Sequence, residues 1–247
     1  MAKYGLIGNP LGHSISPTIH ALLGISDYSL FPLEESELAS FIKQSEPVAF
    51  NVTIPYKQKI IPFLTETRGA AAAIGAVNTV VKTENGIIGY NTDVDGMVFA
   101  LAKAGIAIKG KNVLILGTGG TSRTAAYVAE KLGAISVLKV GRNSEINYEN
   151  VYERTETEVI INTTPVGMFP KIDAQPVCTE KFPRLSGVFD CIYNPKETLL
   201  VKNAKKNGIT AANGLLMLIE QARKAEELFL NTSLPESLSE FVSKKIY

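Results

Sequence analysis

The sequence predicts an α/β protein of two domains, and three observations lead to this prediction. The chain has 247 residues, more than one hydrophobic core usually organises. From Asn112 onward, short apolar segments alternate with helix-like segments, which is typical of a parallel sheet with crossover helices. The N-terminal half alternates in the same way, but only the residues Thr83 to Asn85 separate its last two strands, which indicates a hairpin. We therefore expect a mixed-sheet α/β domain followed by a doubly wound domain.

Strands of the N-terminal half are predicted where apolar and β-branched runs lie between turn residues. They are residues 4–8, 27–33, 48–54, 76–82 and 86–91, with helices near 17–24, 34–44 and 57–64. A helix from Asp95 to Lys103 is expected to join the halves. A last helix after Pro235 is expected to pack back on the first.

In the second half the predicted strands are residues 112–117, 136–140, 158–162, 187–193 and 208–214. An alanine-rich segment, 121–134, lies between the first two and carries a glycine near its end, which predicts a helix. We expect residues 1–96, with 222–247 returning to them, to form one domain and residues 97–221 the other.

Composition points to small-molecule partners. The 25 basic and 24 acidic side chains give a formal charge of +1, and they form no long single-sign run. We therefore expect neither a nucleic acid nor a membrane surface as partner. The apolar run at the N-terminus is too short for a signal peptide or a membrane span, so a cytoplasmic protein is expected. Cys178 and Cys191 form no C-x-x-C pair, and neither a metal site nor a disulfide is expected.

A glycine-rich turn carries the clearest binding signal. Gly117, Gly119 and Gly120 follow a predicted strand and open a predicted helix, with Ser122 at the third position of the dinucleotide fingerprint. Such glycines let the backbone approach a pyrophosphate, which the helix N-terminus then stabilises. The turn predicts a Rossmann-type dinucleotide-binding domain. The alternative is a glycine turn with a structural role alone.

The end of the next predicted strand bears on which dinucleotide would bind. In NAD-binding domains an acidic residue stands there and binds the ribose hydroxyls. This chain has Gly141, Arg142 and Asn143 instead. A cation at this place favours NADP, whose 2′-phosphate it can bind, although Arg142 could also be an ordinary surface residue.

Two serines stand in the loop after the first strand. Ser14 and Ser16 could bind a carboxylate or hydroxyls of a polar ligand, or they could cap the helix that starts near Pro17. From the residues alone, capping is the simpler interpretation. His13 could touch the same ligand, whereas His20 is expected to be an ordinary helix residue.

Polar residues also interrupt apolar segments elsewhere. Asn78 and Asp93 must be hydrogen-bonded or face a ligand, because a buried polar group without a partner costs about 1–3 kcal/mol. Asp93 could equally cap the following helix. Gly214, Met217 and Gln221 share one helical face, which a core stripe with one glutamine also explains.

Taken together and in order, these segments resemble the shikimate dehydrogenase family. The likeness extends over nearly the whole chain through the motifs GNPLGHSISP, NVTIPYK, GAVNTV, NTDVDG, the glycine turn, NTTPVGM, DCIYNP and GLLMLIEQA. The resemblance implies a substrate domain and an NADP-binding domain that face each other across a cleft. It also implies NADPH-dependent reduction of 3-dehydroshikimate to shikimate, a step of chorismate and aromatic amino acid biosynthesis.

The resemblance implies roles for individual residues. Lys57 and Asp93 would be the catalytic pair. The substrate would be surrounded by Ser14, Ser16, Thr53, Lys57, Asn78, Asp93, Tyr193 and Gln221. The cofactor would contact Gly117, Thr118, Gly119, Gly120, Thr121, Ser122, Gly141, Arg142, Asn143, Thr163, Met168, Cys191, Gly214 and Met217.

This chain departs from the family pattern at two of these places. The usual Asn-Arg-Thr after the second strand of the cofactor domain is Gly141-Arg142-Asn143, which keeps the cation but alters the rest of the phosphate clamp. The histidine often found before the catalytic lysine is Tyr56, and the connections between Ser16 and Asn51 are short.

Lys57 is expected to do the proton chemistry. Reducing a ketone creates alkoxide character on oxygen, so a positioned donor must supply a proton. Lys57 would be that donor and Lys59 a solvated neighbour. Two alternatives remain open, namely a broader quinate/shikimate dehydrogenase that uses NAD and a dehydrogenase-like binding protein without turnover. Either a monomer or a homodimer is compatible with the sequence.

Overall fold

The computed structural model describes residues 3–12 and 14–246. His13, for which a ligand contact was considered, lies outside the described residues. The chain divides into two compact units, one formed by Met1–Asp95 with Ile219–Tyr247 and the other by Gly96–Leu218. Both are α/β units, as expected from the alternating pattern.

Eleven strands are present in the described residues. They are β1 Tyr4–Gly8, β2 Tyr28–Pro32, β3 Ala49–Val52, β4 Glu66–Thr67, β5 Thr79–Thr83, β6 Gly86–Tyr90, β7 Asn112–Leu116, β8 Ser136–Val140, β9 Val159–Asn162, β10 Gly187–Asp190 and β11 Thr210–Ala212.

The α-helices in the same part of the chain are α1 Ser16–Leu23, α2 Leu38–Lys43, α3 Tyr56–Lys59, α4 Ala70–Ile74, α5 Asp93–Lys103, α6 Gly120–Lys131, α7 Leu199–Lys206, α8 Leu215–Leu230 and α9 Ser237–Ile246. Short 3₁₀ turns cover Glu35–Glu37, Ile61–Phe63, Val151–Glu153 and Thr179–Lys181. Helix α9 packs on α1.

The first unit contains a mixed six-stranded sheet in the order β2-β1-β3-β5-β6-β4. Strand β1 pairs in parallel with β2 and β3, whereas β3–β5 and β5–β6 are antiparallel. The predicted hairpin is therefore confirmed as β5–β6. One hydrophobic cluster surrounds Ile7, Phe50 and Val80, and a second contains Tyr4, Leu6 and Tyr28.

The second unit contains a parallel five-stranded sheet in the order β11-β10-β9-β7-β8. Strand β7 has the next strand of the chain on one side and β9 on the other, so the strand order reverses there. In open α/β sheets, ligands bind beyond the carboxyl ends of the strands at such a reversal. This geometry makes the segments after β7, β8 and β9 the candidate ligand site of the unit.

Several element boundaries differ from the predicted ones for local reasons. The strand expected to reach residue 54 ends at Val52, shortly before Pro55, which has no N–H for a sheet ladder. Helix α5 begins at Asp93 rather than Asp95. Strand β10 ends at Asp190 because its carboxylate accepts a hydrogen bond from the Ile192 N–H at 3.1 Å, which turns the backbone out of the sheet.

Within residues 3–12 and 14–246, every helix is too short or too polar to cross a bilayer.

Candidate active site

Lys57 is held by the backbone around the short helix α3. The adjacent Tyr56 is buried, and its hydroxyl donates to the Leu33 carbonyl oxygen. The Val77 N–H donates to the carbonyl oxygen of Lys57 itself at 2.7 Å. These contacts fix the start of α3 from two sides, so the backbone of Lys57 is rigidly placed while its side chain remains partly exposed. Tyr56 thus anchors the catalytic candidate from the position where the family often has histidine.

The Lys57 ammonium binds the Asp93 carboxylate. The distance from Nζ to Oδ2 is 2.6 Å, and the two side chains are 15% and 9% exposed. Asp93 is the first residue of α5, where the helix dipole favours a negative charge. The pair predicted from the family motifs is thus brought together across 36 residues of sequence.

Asn78 orients the carboxylate from its other side. Its Nδ2 donates to Asp93 Oδ1 at 3.0 Å and to Gln221 Oε1 at 3.2 Å. Its Oδ1 accepts from the Thr92 N–H at 2.7 Å. Since a backbone N–H can only donate, this contact fixes which end of the amide faces Asp93. Lys57, Asp93, Asn78 and Gln221, here called the site quartet, therefore form one hydrogen-bonded group.

The two loop serines form a pair beside the start of α1. Ser14 Oγ lies 3.1 Å from Ser16 Oγ and accepts from the Ser16 N–H at 3.3 Å. The N-cap position belongs to Ile15, whose side chain cannot cap a helix. Neither serine thus occupies the capping position, and both hydroxyls are partly exposed. Their proposed contact with a ligand stays a prediction.

Thr53 lies at the edge of the same sheet, just after β3. Its N–H donates to the Ile7 carbonyl oxygen at 2.9 Å. A Cβ on Gly8 would lie 2.4 Å from the Thr53 methyl, so glycine is required there for the two segments to meet. Thr53 is therefore packed against the end of β1, the strand whose following loop carries Ser14 and Ser16.

Lys59, the second lysine of the same motif, binds a different carboxylate from Lys57. Its ammonium pairs with the carboxylate of Glu35, and both side chains are well exposed. Such surface pairs contribute little to stability because water screens them. The expectation that Lys59 is the solvated lysine agrees with this contact.

In the second unit, position 117 requires glycine for two reasons. Its φ of 111° lies in the region that favours glycine, and a Cβ there would lie 2.6 Å from Thr163 Oγ1. The Thr163 hydroxyl in turn donates to the Leu116 carbonyl oxygen at 2.6 Å. The predicted cofactor segments after β7 and β9 are therefore in direct contact.

The segment after β8, which begins at Gly141, contacts the segment after β7. The Gly117 N–H donates to the Val140 carbonyl oxygen at 2.8 Å, and a Cβ on Gly141 would lie 2.7 Å from the Thr118 methyl. Arg142 and Asn143 follow as exposed residues. Burial raises the pKa of the Tyr148 phenol, and the nearby positive charge of Arg142 partly opposes this rise.

The start of α6 suits an anionic group. The N-cap residue is Gly119, so no side chain caps the helix, and the first amides of a helix have no partner within it. A Cβ on Gly119 would meet open space. The Ser122 hydroxyl is buried and donates to the Gly119 carbonyl oxygen at 2.7 Å, which stabilises the turn from behind. Uncapped amides beside open space are the features that a pyrophosphate needs.

Asp190 and Asn162 were missed by sequence reasoning. Asp190 is fully buried, accepts from Asn162 Nδ2 at 3.0 Å and from the Thr198 hydroxyl at 2.7 Å. Burial raises the pKa of this carboxyl to about 6. Together the two residues hold the loop that begins at Cys191. The acidic residue at the end of an apolar strand was the available signal.

The remaining cofactor candidates lie near that loop or on α8. Gly214 approaches Cys191 so closely that a Cβ would lie 2.1 Å from the Cys191 carbonyl oxygen. Met217 is buried and Met168 is exposed. Tyr193, a substrate candidate in the same loop, is partly exposed. Contacts of these residues with a ligand stay predictions.

Comparison with known proteins agrees with this arrangement. Residues 6–80 match the family model described as the shikimate dehydrogenase substrate binding domain. Shikimate dehydrogenase (NADP(+)) of Caldanaerobacter subterraneus subsp. tengcongensis is 35% identical over an alignment of 271 positions. The alignment covers 98% of this chain and 95% of the relative.

Solved structures give the same result. A chorismate mutase/shikimate 5-dehydrogenase fusion protein from Clostridium acetobutylicum superposes with a TM-score of 0.93 at 36% identity, covering 98% of this chain and 96% of that one. Shikimate 5-dehydrogenase from Thermus thermophilus, in complex with NADP(H) and shikimate, has a TM-score of 0.85 at 28% identity and covers both chains completely.

The parallel sheet with its glycine turn and the lysine–aspartate pair define an α/β oxidoreductase. Within that class, the chain belongs to the shikimate dehydrogenase family.

Proposed function

We propose that this protein catalyses the reversible, NADPH-dependent reduction of 3-dehydroshikimate to shikimate in chorismate biosynthesis. The observation that carries the proposal is the site quartet, in which the Lys57 ammonium is held by Asp93 and the Asp93 carboxylate by Asn78. Membership of the family supports the substrate and the cofactor. The residues 1–96 with 222–247 would be the substrate-binding and catalytic domain, and 97–221 the NADP-binding domain.

In this reaction Lys57 acts as general acid during reduction and general base during oxidation. The ammonium donates a proton to the substrate oxygen as that oxygen gains negative charge. Asp93 keeps Nζ in place through a 2.6 Å charge-assisted hydrogen bond. Asn78 holds the Asp93 carboxylate, and Gln221 accepts a hydrogen bond from Asn78. Both amides present polar atoms to substrate hydroxyls, while the Ser14 and Ser16 hydroxyls bind the substrate carboxylate.

The second unit fits an NADP cofactor, which supplies the hydride when bound. The uncapped amides at the start of α6 would bind the pyrophosphate, and the turn from Gly117 to Ser122 lets the backbone approach it. Arg142 is exposed after β8, where it would pair with the 2′-phosphate. Gly141 and Asn143 complete that segment.

The test is a spectrophotometric assay at the NADPH absorbance band. Purified protein is offered shikimate or quinate, each with NADP or NAD. The proposal predicts that shikimate with NADP gives the largest kcat/KM. Preference for quinate or for NAD would support the broader dehydrogenase, and absence of turnover with all four pairs would support a binding protein.

We further propose that the enzyme works in the cytoplasm as a monomer or homodimer on freely diffusing substrates. Sedimentation equilibrium of the purified protein tests the assembly, and a higher oligomer would contradict this part of the proposal.

A further inference from the structure

Two buried threonines lie beside the Asn78 amide of the site quartet. Thr79 on β5 and Thr92, the residue before α5, are 0% and 3% exposed. Their hydroxyl oxygens are 3.1 Å apart, so either one can donate to the other. Neither was among the site residues predicted from the sequence. We call these two residues the threonine pair, and the proposed chemistry gives the pair no role.

Both hydroxyls reach the same amide. Thr79 Oγ1 lies 3.0 Å from Asn78 Oδ1, and Thr92 Oγ1 lies 3.2 Å from that oxygen and 3.0 Å from Asn78 Nδ2. A carbonyl oxygen has two lone pairs, and the Thr92 N–H occupies one of them at 2.7 Å. Asn78 Oδ1 therefore has one remaining place, for which the two threonine hydroxyls compete.

The two hydrogens of Asn78 Nδ2 have three acceptors within reach. These are Asp93 Oδ1 at 3.0 Å, Gln221 Oε1 at 3.2 Å and Thr92 Oγ1 at 3.0 Å. Two hydrogens cannot satisfy three oxygens. When Thr92 Oγ1 takes one of them, either Asp93 or Gln221 loses it. The arrangement of the threonine hydroxyls thus decides how much of the Asn78 amide serves the site quartet.

Asn51 limits what the Thr79 hydroxyl can do. Asn51 Nδ2 donates to the Asn78 carbonyl oxygen at 3.2 Å, which can only accept, and this contact sets the orientation of the Asn51 amide. The same nitrogen donates to Thr79 Oγ1 at 3.2 Å. Asn51 Oδ1, on the other side, accepts from the Tyr28 hydroxyl at 2.8 Å. Thr79 Oγ1 is therefore an acceptor for Asn51, and its own hydrogen remains for Asn78 or Thr92.

Two arrangements of the hydroxyl hydrogens satisfy the threonine pair. In the first, Thr79 donates to Thr92 and Thr92 donates to Asn78 Oδ1. Both hydrogens of the amide then remain for Asp93 and Gln221. In the second, Thr92 donates to Thr79, Thr79 donates to Asn78 Oδ1, and Thr92 Oγ1 takes a hydrogen from Asn78. Because a charge-assisted bond to the Asp93 carboxylate is the stronger one, Gln221 then goes without an Asn78 hydrogen.

The Asp93 carboxylate favours the first arrangement. There the donors form one chain from the Tyr28 hydroxyl through Asn51, the threonine pair and Asn78, and the chain ends on the negative charge. Hydrogen bonds in such a chain polarise one another. The second arrangement instead closes the threonine pair and Asn78 into a ring, which uses one amide hydrogen away from the site.

We propose that Thr79 is a positioning residue whose hydroxyl donates to Thr92, which leaves both hydrogens of the Asn78 amide to the two acceptors in the site quartet. This arrangement holds Gln221 where the proposed function needs it to meet the substrate. The inference rests on the proposed function for this link to shikimate binding. Since Thr79 is fully buried, its effect on the substrate passes through Asn78.

Replacing Thr79 with valine removes the hydroxyl and keeps a buried side chain of similar size. Thr92 Oγ1 then loses its donor and takes a hydrogen from Asn78 at the expense of Gln221. We expect the KM for shikimate to rise about 2- to 12-fold, the range of one neutral hydrogen bond, while kcat and the KM for NADP stay near wild type. Loss of folded protein alone would instead lower kcat and leave both KM values unchanged.

Thr79→Ser is the complementary variant. It keeps the hydroxyl and loses a buried methyl group, so its Tm should fall while its KM for shikimate stays near wild type. Thr179→Val is the matched control, because Thr179 is 1% exposed and its hydroxyl is buried without a hydrogen-bond partner among residues 3–12 and 14–246. It should leave the kinetic constants unchanged. Equal KM values for Thr79→Val and Thr79→Ser would overturn the proposal.

Removing the second hydroxyl gives the sharpest test. Thr92→Val eliminates the competitor for the Asn78 hydrogens, and Thr79 then donates directly to Asn78 Oδ1, so the KM for shikimate should stay near wild type. In Thr79→Val/Thr92→Val the competitor is also gone, and the KM should return toward wild type although the Tm falls below that of either single variant. A KM in the double variant as high as that of Thr79→Val, or higher, would contradict the proposed competition.

Crystal structures of the variants test these hydrogen bonds without turnover. In Thr79→Val, Asn78 Nδ2 should lie beyond hydrogen-bonding distance from Gln221 Oε1. In the double variant the contact should be restored to about the 3.2 Å of the wild type. An unchanged contact in Thr79→Val would refute the inference. Failure of the wild type to oxidise shikimate would instead overturn the proposed function, and these contacts would still decide the role of the threonine pair.

Discussion

Replacing Asp93 with asparagine removes one charge from the site and keeps the shape of the side chain. The two carboxylate oxygens accept from different donors, Oδ2 from Lys57 and Oδ1 from Asn78. An asparagine has a single side-chain oxygen, so it can satisfy one of these donors and must turn an NH₂ group toward the other. Asp93→Asn therefore loses at least one hydrogen bond, and Lys57 loses the charge that holds it.

The expected loss follows from that contact. A hydrogen bond to a charged group contributes about 1.5–3 kcal/mol, which corresponds to a decrease of about 10- to 150-fold in kcat/KM. The Tm of Asp93→Asn should also fall. Removing one partner of a fully buried ion pair costs about 3–5 kcal/mol, and the cost here should be smaller because the Lys57 side chain is 15% exposed.

Asp95→Asn is the matched control. Asp95 lies in the same first turn of α5 and is exposed, so its replacement removes the same interaction with the helix dipole. Initial rates of shikimate oxidation at varied shikimate and NADP, with thermal unfolding of the same samples, measure both effects. If Asp93→Asn matches Asp95→Asn in kcat/KM, Asp93 does not orient Lys57 and the reasoning is refuted.

Three further changes test other parts of the site. Replacing Ser14 and Ser16 together with alanine should raise the KM for shikimate, by about 10- to 150-fold per lost bond to its carboxylate; a lower Tm with unchanged KM would instead assign the serines to helix stability. Arg142→Ala should lower kcat/KM for NADPH toward the lower part of the same range and leave NADH nearly unaffected, because only NADPH carries the 2′-phosphate; equal losses with both cofactors would contradict the NADP contact. Gly214→Ala should lower the free energy of unfolding by at least about 1–3 kcal/mol in denaturant titration, since its Cβ would lie 2.1 Å from the Cys191 carbonyl oxygen; an unchanged midpoint would show that the loop can move aside.

The architecture could be predicted because both sheets leave a local pattern. Most parallel strands of the second unit are short apolar segments, and the β5–β6 hairpin is revealed by its short turn. Strand β4 left no such pattern, since it has two residues, Glu66 and Thr67, neither of which is buried. Its pairing with β6 depends on tertiary contacts that no residue period encodes.

The site was predictable where motifs mark it and not where distant residues meet. Lys57 and Asp93 were named from family motifs, and the structure joins them. His20 was expected to be an ordinary helix residue, yet it is buried against Glu226, which lies 206 residues away. Asn51 is a second case, because both ends of its amide are bonded inside the unit, to Tyr28 and Thr79. Such partners are set by packing of α1, α8 and the sheet, for which the sequence carries no local signal.

The central claim is that Lys57 transfers the proton, and the most direct measurement compares Lys57→Ala with Lys59→Ala in shikimate oxidation by NADP. General acid–base assistance is typically worth about 10²–10⁴-fold, and the Lys57 ammonium pairs with Asp93 and is not part of a hydrophobic cluster of the described residues. We predict that Lys57→Ala folds normally and loses kcat by a factor in this range, while Lys59→Ala, which removes only a surface ion pair, stays near wild type. A folded Lys57→Ala protein with near-normal kcat would contradict the account.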